Sequence, residues 1–339
     1  MKKLRFAAFG CGFWSNYQIP GWLELEDVEI AAVYNRTRSK AEAIAKKFGN
    51  VPVYDDPVKM LDSEELDFVD IITDVETHFQ FSEMAAKKGY DVVCQKPMAP
   101  SLDEAKKLVK VCHDNHVKLF VNENFRFQAP IRKVKQEIDS GVIGEIFKSR
   151  VSFCSAFPAY DNQVFMSEFD MFILADIGSH ILDICRFLFG DAVSVFCKTR
   201  NINPKIKGED VATVFMEMKN GIHCLVELSY ASILENEVFP QTLILIEGSK
   251  GSIKLDINYE LKVTTLKGTK KEVIKPVIYP WADPEYSVLH SSIVDAQRNI
   301  LSGLRGGQAE TTGEDNLRTA ELVFSSYESA RTGNAVPVR

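Results

Sequence analysis

Residues 4–125 alternate short apolar runs with stretches whose apolar residues recur every three or four positions. The apolar runs are "LRFAAF" (4–9), "VEIAAVYN" (28–35), "LDFVDIIT" (66–73), "YDVVCQKP" (90–97) and "VKLFVNENF" (117–125). Between them lie helical patterns at 14–25, "TRSKAEAIAKKFG" (37–49), "FQFSEMAAKKG" (79–89) and "SLDEAKKLVKVCHDNH" (101–116). Gly49 and Gly89 stop two of these as C-cap residues, and Ser101 with Glu104 forms a capping box. Strands alternating with helices of roughly 10–15 residues predict an α/β domain of Rossmann type, a parallel sheet with helices on both faces.

The period then changes. After a helical pattern at 129–144, the runs "FKSRVSFCSAF", "VSVFCKTRNI", "DVATVFMEMKNGIHCLVELSYAS", "QTLILIEGSKGSIKLDIN" and "YELKVTTLKG" alternate with period two. Asn220-Gly221 between two of them is a hairpin signal. Helical patterns return at 285–302 and 313–332. A second, α+β domain with a large, mostly antiparallel sheet is expected, giving domains at 1–123 and 124–339.

A length of 339 residues agrees with two domains. The net charge of −7 does not suit a phosphate-backbone grip, so no nucleic-acid partner is expected. The seven cysteines are scattered without a C-x-x-C pair, which reads as neither a zinc site nor a disulfide framework, and no metal is expected. Free thiols fit a reducing cytoplasm. The apolar run after "MKKLR" is too short for a signal peptide, and no run is long enough for a membrane helix. A cytoplasmic protein with no membrane partner is the expectation.

"FGCGFWS" (9–15) follows the first strand and opens the first helix. In a G-x-G-x-x-G turn the first glycine makes the bend and the second lets a pyrophosphate approach the backbone. The third small residue lets helix and strand pack. Gly10 and Gly12 fill the first two places. Ser15 is small enough for the third and can add a hydroxyl. The second strand ends Tyr34-Asn35-Arg36, without the carboxylate that usually accepts from the ribose of NAD. Arg36, Thr37, Arg38 and Ser39 can build a pocket for a 2′-phosphate, which leans the choice to NADP. In the competing reading Asn35 bonds the ribose and the arginines are solvated.

Lys96 stands at the carboxyl end of a parallel strand, where ligands bind, and Pro97 biases it to an extended backbone. By position alone such a lysine is more often solvated. In "LADIGSHILDICRFLFG" (174–190), Asp176, His180 and Asp183 share one helical face. Beside it Ile173, Ile177, Ile181, Ile184 and Leu188 form an apolar stripe. That spacing alone also fits a polar solvent face, or a core histidine bonded to Asp183. His113 and His116 read as solvated at a helix end, His223 as structural and Trp281 as packing a loop.

Taken together, "AAFGCGFWS", "ITDVETH" (72–78), "CQKPMA", "ADIGSHILDICRFLFG", "IEGSKGSIKLD" and "GEDNLRTAELVFSSYESARTG" resemble the Gfo/Idh/MocA family of sugar and polyol oxidoreductases. The linked E-K-P-like and D-x-G-x-H motifs are the specific part. The resemblance implies an NAD(P) cofactor held by Gly10, Gly12, Phe13, Trp14, Asn35, Arg36, Arg38, Thr73, His78, Gln95, Lys96 and Arg126. It implies Lys96 between nicotinamide and substrate, His180 as general base on the reacting hydroxyl, and Asp176 orienting the substrate or the histidine. Asp183 supports the helix. Asn124, and Tyr160 and Asn162 in the aromatic loop "AFPAYDNQVF" (156–165), are expected substrate contacts. Gln95 and Asp74 depart from the family's usual Glu and Pro, and "FDMFILAD" from its usual glycine-rich run. A homodimer or homotetramer through the late sheet is implied. Two rivals are a redox-neutral NAD-dependent glycosidase and a non-catalytic dinucleotide-binding sensor; a sensor has no need of a lysine and a histidine base.

Overall fold

A computed structural model describes residues 2–158 and 167–338. Contacts divide the chain into two units, one of residues up to 124 with 278–317, the other of 125–277 with the residues from 318. Residues 278–317, expected in the second domain, therefore belong to the first unit.

The first unit runs β1 (Leu4–Phe9), α1 (Ser15–Leu23), β2 (Val28–Tyr34), α2 (Arg38–Lys47), β3 (Val53–Tyr54), α3 (Pro57–Ser63), β4 (Phe68–Ile71), α4 (His78–Lys87), β5 (Asp91–Cys94), α5 (Leu102–Asp114) and β6 (Leu119–Val121). The six strands lie in the order β3-β2-β1-β4-β5-β6, all parallel. This is the Rossmann order, and it reverses between β1 and β4, where such sheets take their ligands. The two-residue β3 and the short α3 carry too little periodicity to be read from the sequence. Asp56 caps α3, accepting from Val58 N (2.9 Å) and Lys59 N (3.2 Å).

The second unit contains α6 (Ala129–Asp139), β7 (Ile146–Cys154), and a π-helical turn (Leu174–Gly178) leading into α7 (Ser179–Phe189). β8 (Ala192–Arg200), β9 (Val211–Met218), β10 (His223–Ser229), β11 (Leu243–Gly248), β12 (Gly251–Leu255), β13 (Glu260–Thr265) and β14 (Gly268–Val273) follow. The chain then forms α8 (Ser287–Leu304), α9 (Gly313–Thr332) and β15 (Val336–Pro337). Nine strands lie in the order β14-β13-β12-β11-β7-β10-β9-β8-β15. All pairs are antiparallel except β7 with β10. Period-two burial is clean in β9, where Ala212, Val214, Met216 and Met218 point inward. α7 packs on β7 and β10. The α/β plus α+β class expected from the alternation is the fold observed.

In the first unit α8 packs on α1 so closely that a Cβ on Gly21 would lie 2.4 Å from Gln297 Oε1. Gln297 Nε2 donates to Gln18 O and Oε1, both at 2.9 Å. Phe6, Trp22 and Phe68 form the aromatic centre of the core.

Asp70 is a polar residue inside the otherwise apolar β4. It is fully buried, accepting from Trp22 Nε1 (2.8 Å) and Asn122 Nδ2 (3.0 Å). Burial pushes its carboxyl up to about 7. The folded chain thus keeps a proton that an unfolded aspartate loses near pH 4, so stability falls as pH rises across that window. At about 1.4 kcal/mol per pH unit the cost reaches up to about 4 kcal/mol above neutrality. The buried Asn122 Oδ1 has no hydrogen-bond partner and can accept from an amide at position 70. Asp70→Asn should therefore raise the thermal midpoint at pH 8 and leave it nearly unchanged at pH 4. Equal midpoints at pH 8 in a melting series would contradict this account.

Candidate functional site

The glycine turn sits at the carboxyl end of β1. Gly10 has φ +99°, and a Cβ there would lie 2.8 Å from Ile72 O, so this position requires glycine. Gly12 differs. A Cβ there would meet nothing within 4 Å, so packing within the protein does not explain a glycine. A bare backbone suits close approach by a ligand. No side chain caps the first turn of α1. A helix N-terminus of that kind attracts phosphate, so these residues fit a dinucleotide pyrophosphate. Ser15 is buried, and its Oγ donates to Gly12 O (2.7 Å), which ties the turn to the helix and directs the hydroxyl to the chain's own carbonyl. Phe13 is 46% exposed and lies edge-on to Trp14.

Asn35 braces this turn. Its Oδ1 accepts from Cys11 N (3.0 Å) and its Nδ2 donates to Thr37 O (3.0 Å). Arg36 is exposed. Arg38 pairs with Glu42 (3.0 Å) and Asp55 (3.5 Å), which weakens it as a phosphate ligand.

Thr73 Oγ1 accepts from Thr77 Oγ1 (2.8 Å) after β4. His78, expected at the cofactor, is buried between two carbonyls, with Nε2 3.0 Å from Thr73 O and Nδ1 3.1 Å from Pro97 O. Burial lowers its pKa, favouring a neutral ring that donates to one of the two. It braces the loops after β4 and β5. Gln95 Oε1 accepts from Lys96 N (2.7 Å), fixing the backbone that carries the half-buried Lys96. The Lys96-Pro97 peptide is cis. Asn124, expected at the substrate, donates through Nδ2 to Ser292 Oγ (2.7 Å) and Leu289 O (3.3 Å), anchoring its loop to α8. Tyr17 on α1 stacks on His290 of α8 at 4.2 Å. Burial draws the His290 imidazole down to about 4. No spacing in the sequence links these two.

In the second unit the π turn interrupts α-helical spacing at Asp176. Asp176 N donates to Phe172 O (2.8 Å), but Gly178 N reaches back five residues to Ile173 O (2.7 Å). Asp176 thus lies inside the π turn, and His180 and Asp183 lie on α7 directly after it. Tyr230 Oη donates to Asp176 Oδ2 (3.2 Å), and burial with the neighbouring carboxylate raises the Tyr230 pKa strongly, holding it as the donor. His180 is buried, its ring edge-on to Phe125 at 3.9 Å. The isoleucine stripe is buried as expected and seats the helix.

Asp183 is fully buried in a bidentate pair with Arg126, Nε to Oδ2 at 2.7 Å and Nη2 to Oδ1. Thr319 Oγ1 donates to the same carboxylate (2.9 Å). Arg126, expected to border cofactor or substrate, is thus a buried partner of Asp183. Sequence reading missed Glu209, Tyr230 and Tyr327, which lie far along the chain from the segment they hold. Tyr160 and Asn162 fall outside the described residues. Among the described residues no cluster of three or more His, Cys, Asp or Glu could hold a metal, and no helix is long and apolar enough to cross a membrane.

Residues 4–123 match the family described as oxidoreductases with an NAD-binding Rossmann fold, and residues 131–254 match the GFO/IDH/MocA C-terminal domain. The chain is 39% identical to a D-apiose dehydrogenase of Rhizobium rhizogenes over 339 residues, covering 100% of this chain and 98% of the relative. A crystal structure of an oxidoreductase from Agrobacterium radiobacter, in complex with NAD+, L-tartaric acid and magnesium, superposes with a TM-score of 0.97 at 39% identity, covering 99% of each chain. The WlbA dehydrogenase of Bordetella pertussis, in complex with NADH and UDP-GlcNAcA, shares the fold at 23% identity, with a TM-score of 0.82 over 100% of this chain and 99% of its own. The chain belongs to the Gfo/Idh/MocA oxidoreductase family.

Proposed function

We propose that this protein is an NAD-dependent dehydrogenase that oxidises a hydroxyl-bearing carbon of a small sugar, with D-apiose the first substrate to test. The observation that carries the reading is a buried histidine, His180, four residues beyond an Asp176 held by Tyr230 on one rigid segment. Pure dinucleotide binding has no use for that arrangement. The 39% identity to a D-apiose dehydrogenase across the full chain supports the substrate class.

The first unit takes the dinucleotide at Gly10, Gly12, Phe13 and Trp14, and the second carries the substrate-binding groups. When bound, the nicotinamide supplies the hydride acceptor. His180 takes the hydroxyl proton, since imidazole titrates near neutral pH. Asp176 favours the imidazolium that forms. The carboxylates on Arg38 tilt the choice from NADP to NAD.

The outward face of the nine-stranded sheet aligns Phe196, Phe215 and Leu225 on neighbouring strands, with Phe196 and Phe215 exposed. An apolar row of this kind on an open sheet favours cover by a second copy. Light scattering should report a dimer or tetramer, and a monomer at micromolar concentration would remove this part of the reading.

Two experiments test the chemistry. In thermal-shift titrations NAD should stabilise the protein by about 2.7 kcal/mol at roughly a hundred times its dissociation constant, and NADP by less. Gly12→Ala should keep the ligand-free midpoint and lose the NAD shift; an undiminished shift would clear the glycine turn of its assigned role. In a reduced-cofactor absorbance assay with D-apiose, His180→Ala should lower kcat by about 10²–10⁴-fold while the NAD shift persists. Unchanged turnover would remove His180 as the base.

A further inference from the structure

The segment bearing Asp176 begins without a cap of its own. Ile173 occupies the N-cap position of the π turn and offers no side-chain oxygen. A helix start leaves its first four amides without intrahelical acceptors, and buried amides must find partners elsewhere. Here four successive amides are claimed by two distant residues of the same unit. Phe172 N donates to the Glu209 carboxylate (3.2 and 3.3 Å), Ile173 N to Glu209 O (3.0 Å), and Leu174 N to Glu209 Oε1 (3.1 Å). Ala175 N donates to Tyr327 Oη (3.0 Å), and that hydroxyl in turn donates to Glu209 Oε1 (2.7 Å).

The fit is close. A Cβ on Gly208 would lie 2.6 Å from Phe169 O and 2.8 Å from Phe172 Cβ, so the chain preceding Glu209 runs against the segment with no room for a side chain. Glu209 is buried, and a carboxylate at a helix start also complements the peptide dipoles.

The consequence concerns register. One extra residue in a turn rotates what precedes it by about 100° relative to an α-helix, at 3.6 residues per turn. With the amides of 172–175 fixed, the backbone enters the turn at a set azimuth and closes with the Gly178-to-Ile173 bond. Asp176 lies inside that turn and His180 at the start of α7. Their mutual orientation is therefore set at the capped end, with Tyr230 holding the Asp176 carboxylate from β10's end.

We infer that Glu209 and Tyr327 are positioning residues that orient Asp176 against His180 by capping the π turn, an inference that rests on the proposed dehydrogenase reading for its kinetic consequence. Tyr327→Phe deletes one hydroxyl, taking the acceptor from Ala175 N and one of three donors from Glu209 Oε1. Glu209→Gln keeps an acceptor for the amides and removes the charge.

The test uses the full-length protein with NAD and D-apiose, at a temperature well below both melting points. Tyr327→Phe should lower kcat about tenfold or more while the KM for NAD and the NAD thermal shift stay at wild-type values. Glu209→Gln should fall between it and the wild type. The His180 imidazole is followed in parallel by NMR titration, assigned with His180→Gln, and in Tyr327→Phe its midpoint should move by about half a pH unit. A purely structural cap would lower the melting temperature and leave kcat and the His180 titration unchanged, and that result overturns the inference. A moved titration without D-apiose oxidation in any variant or the wild type would uphold the positioning role and reject D-apiose as the substrate. If Tyr327→Phe does not fold, Glu209→Gln carries the same two readouts.

Discussion

A carboxylate shut away from water, Asp183, is the point on which the second unit turns. An isolated buried charge costs several kcal/mol, and Asp183 offsets that with the bidentate Arg126 fork and the Thr319 hydroxyl. Arg186 donates to Thr319 (2.7 Å) and pairs with Asp191, extending the network to the end of α7. The pair joins the short helical stretch Phe125–Phe127, α7 and α9. Removing one partner strands the other, a loss of about 3–5 kcal/mol for pairs of this kind. α7 is thereby fixed along its length, and His180, one turn before Asp183, inherits that fixity.

The first unit contains the opposite solution. Asp70 is equally buried, yet its donors are the neutral Trp22 and Asn122, and its carboxyl rises to about 7. The contrast is one of counter-charge. A guanidinium keeps a buried carboxylate ionised, whereas an indole and an amide satisfy its geometry without compensating its charge. Asp70 therefore makes the first unit's stability depend on pH.

The elements legible in the sequence were those with a local signal. Period two and period 3.6 marked the strands and helices, glycines and Ser101 marked the helix ends, and the order of elements implied the parallel sheet. Gly10 was legible because a bend after a strand needs a residue free of Cβ. The π turn at Leu174–Gly178 was not, because its sequence fits α spacing and only distant acceptors, Glu209 and Tyr327, fix its wider register. β3 is too short to show a period. The return of residues 278–317 to the first unit depends on packing such as that of Gly21 on Gln297, which nothing nearby in the chain announces.

Several residues expected at the ligands share a second task. Asn35, His78, Gln95, Asn124 and Arg126 are polar residues at or just beyond strand ends. Each places a hydrogen bond on its own chain. Asn35 holds Cys11 in the glycine turn, His78 and Gln95 hold the loop bearing Lys96, Asn124 holds its loop to α8, and Arg126 holds the carboxylate of α7. A backbone leaving a sheet loses its ladder partners and still has amides and carbonyls to satisfy. Side chains at strand ends meet that demand first. The same demand then determines where reactive groups can be held rigidly, because the loop that is braced is the loop that can present a lysine or a bare glycine amide in one fixed position. The precision of such a site is built from the side chains that hold its loops in place.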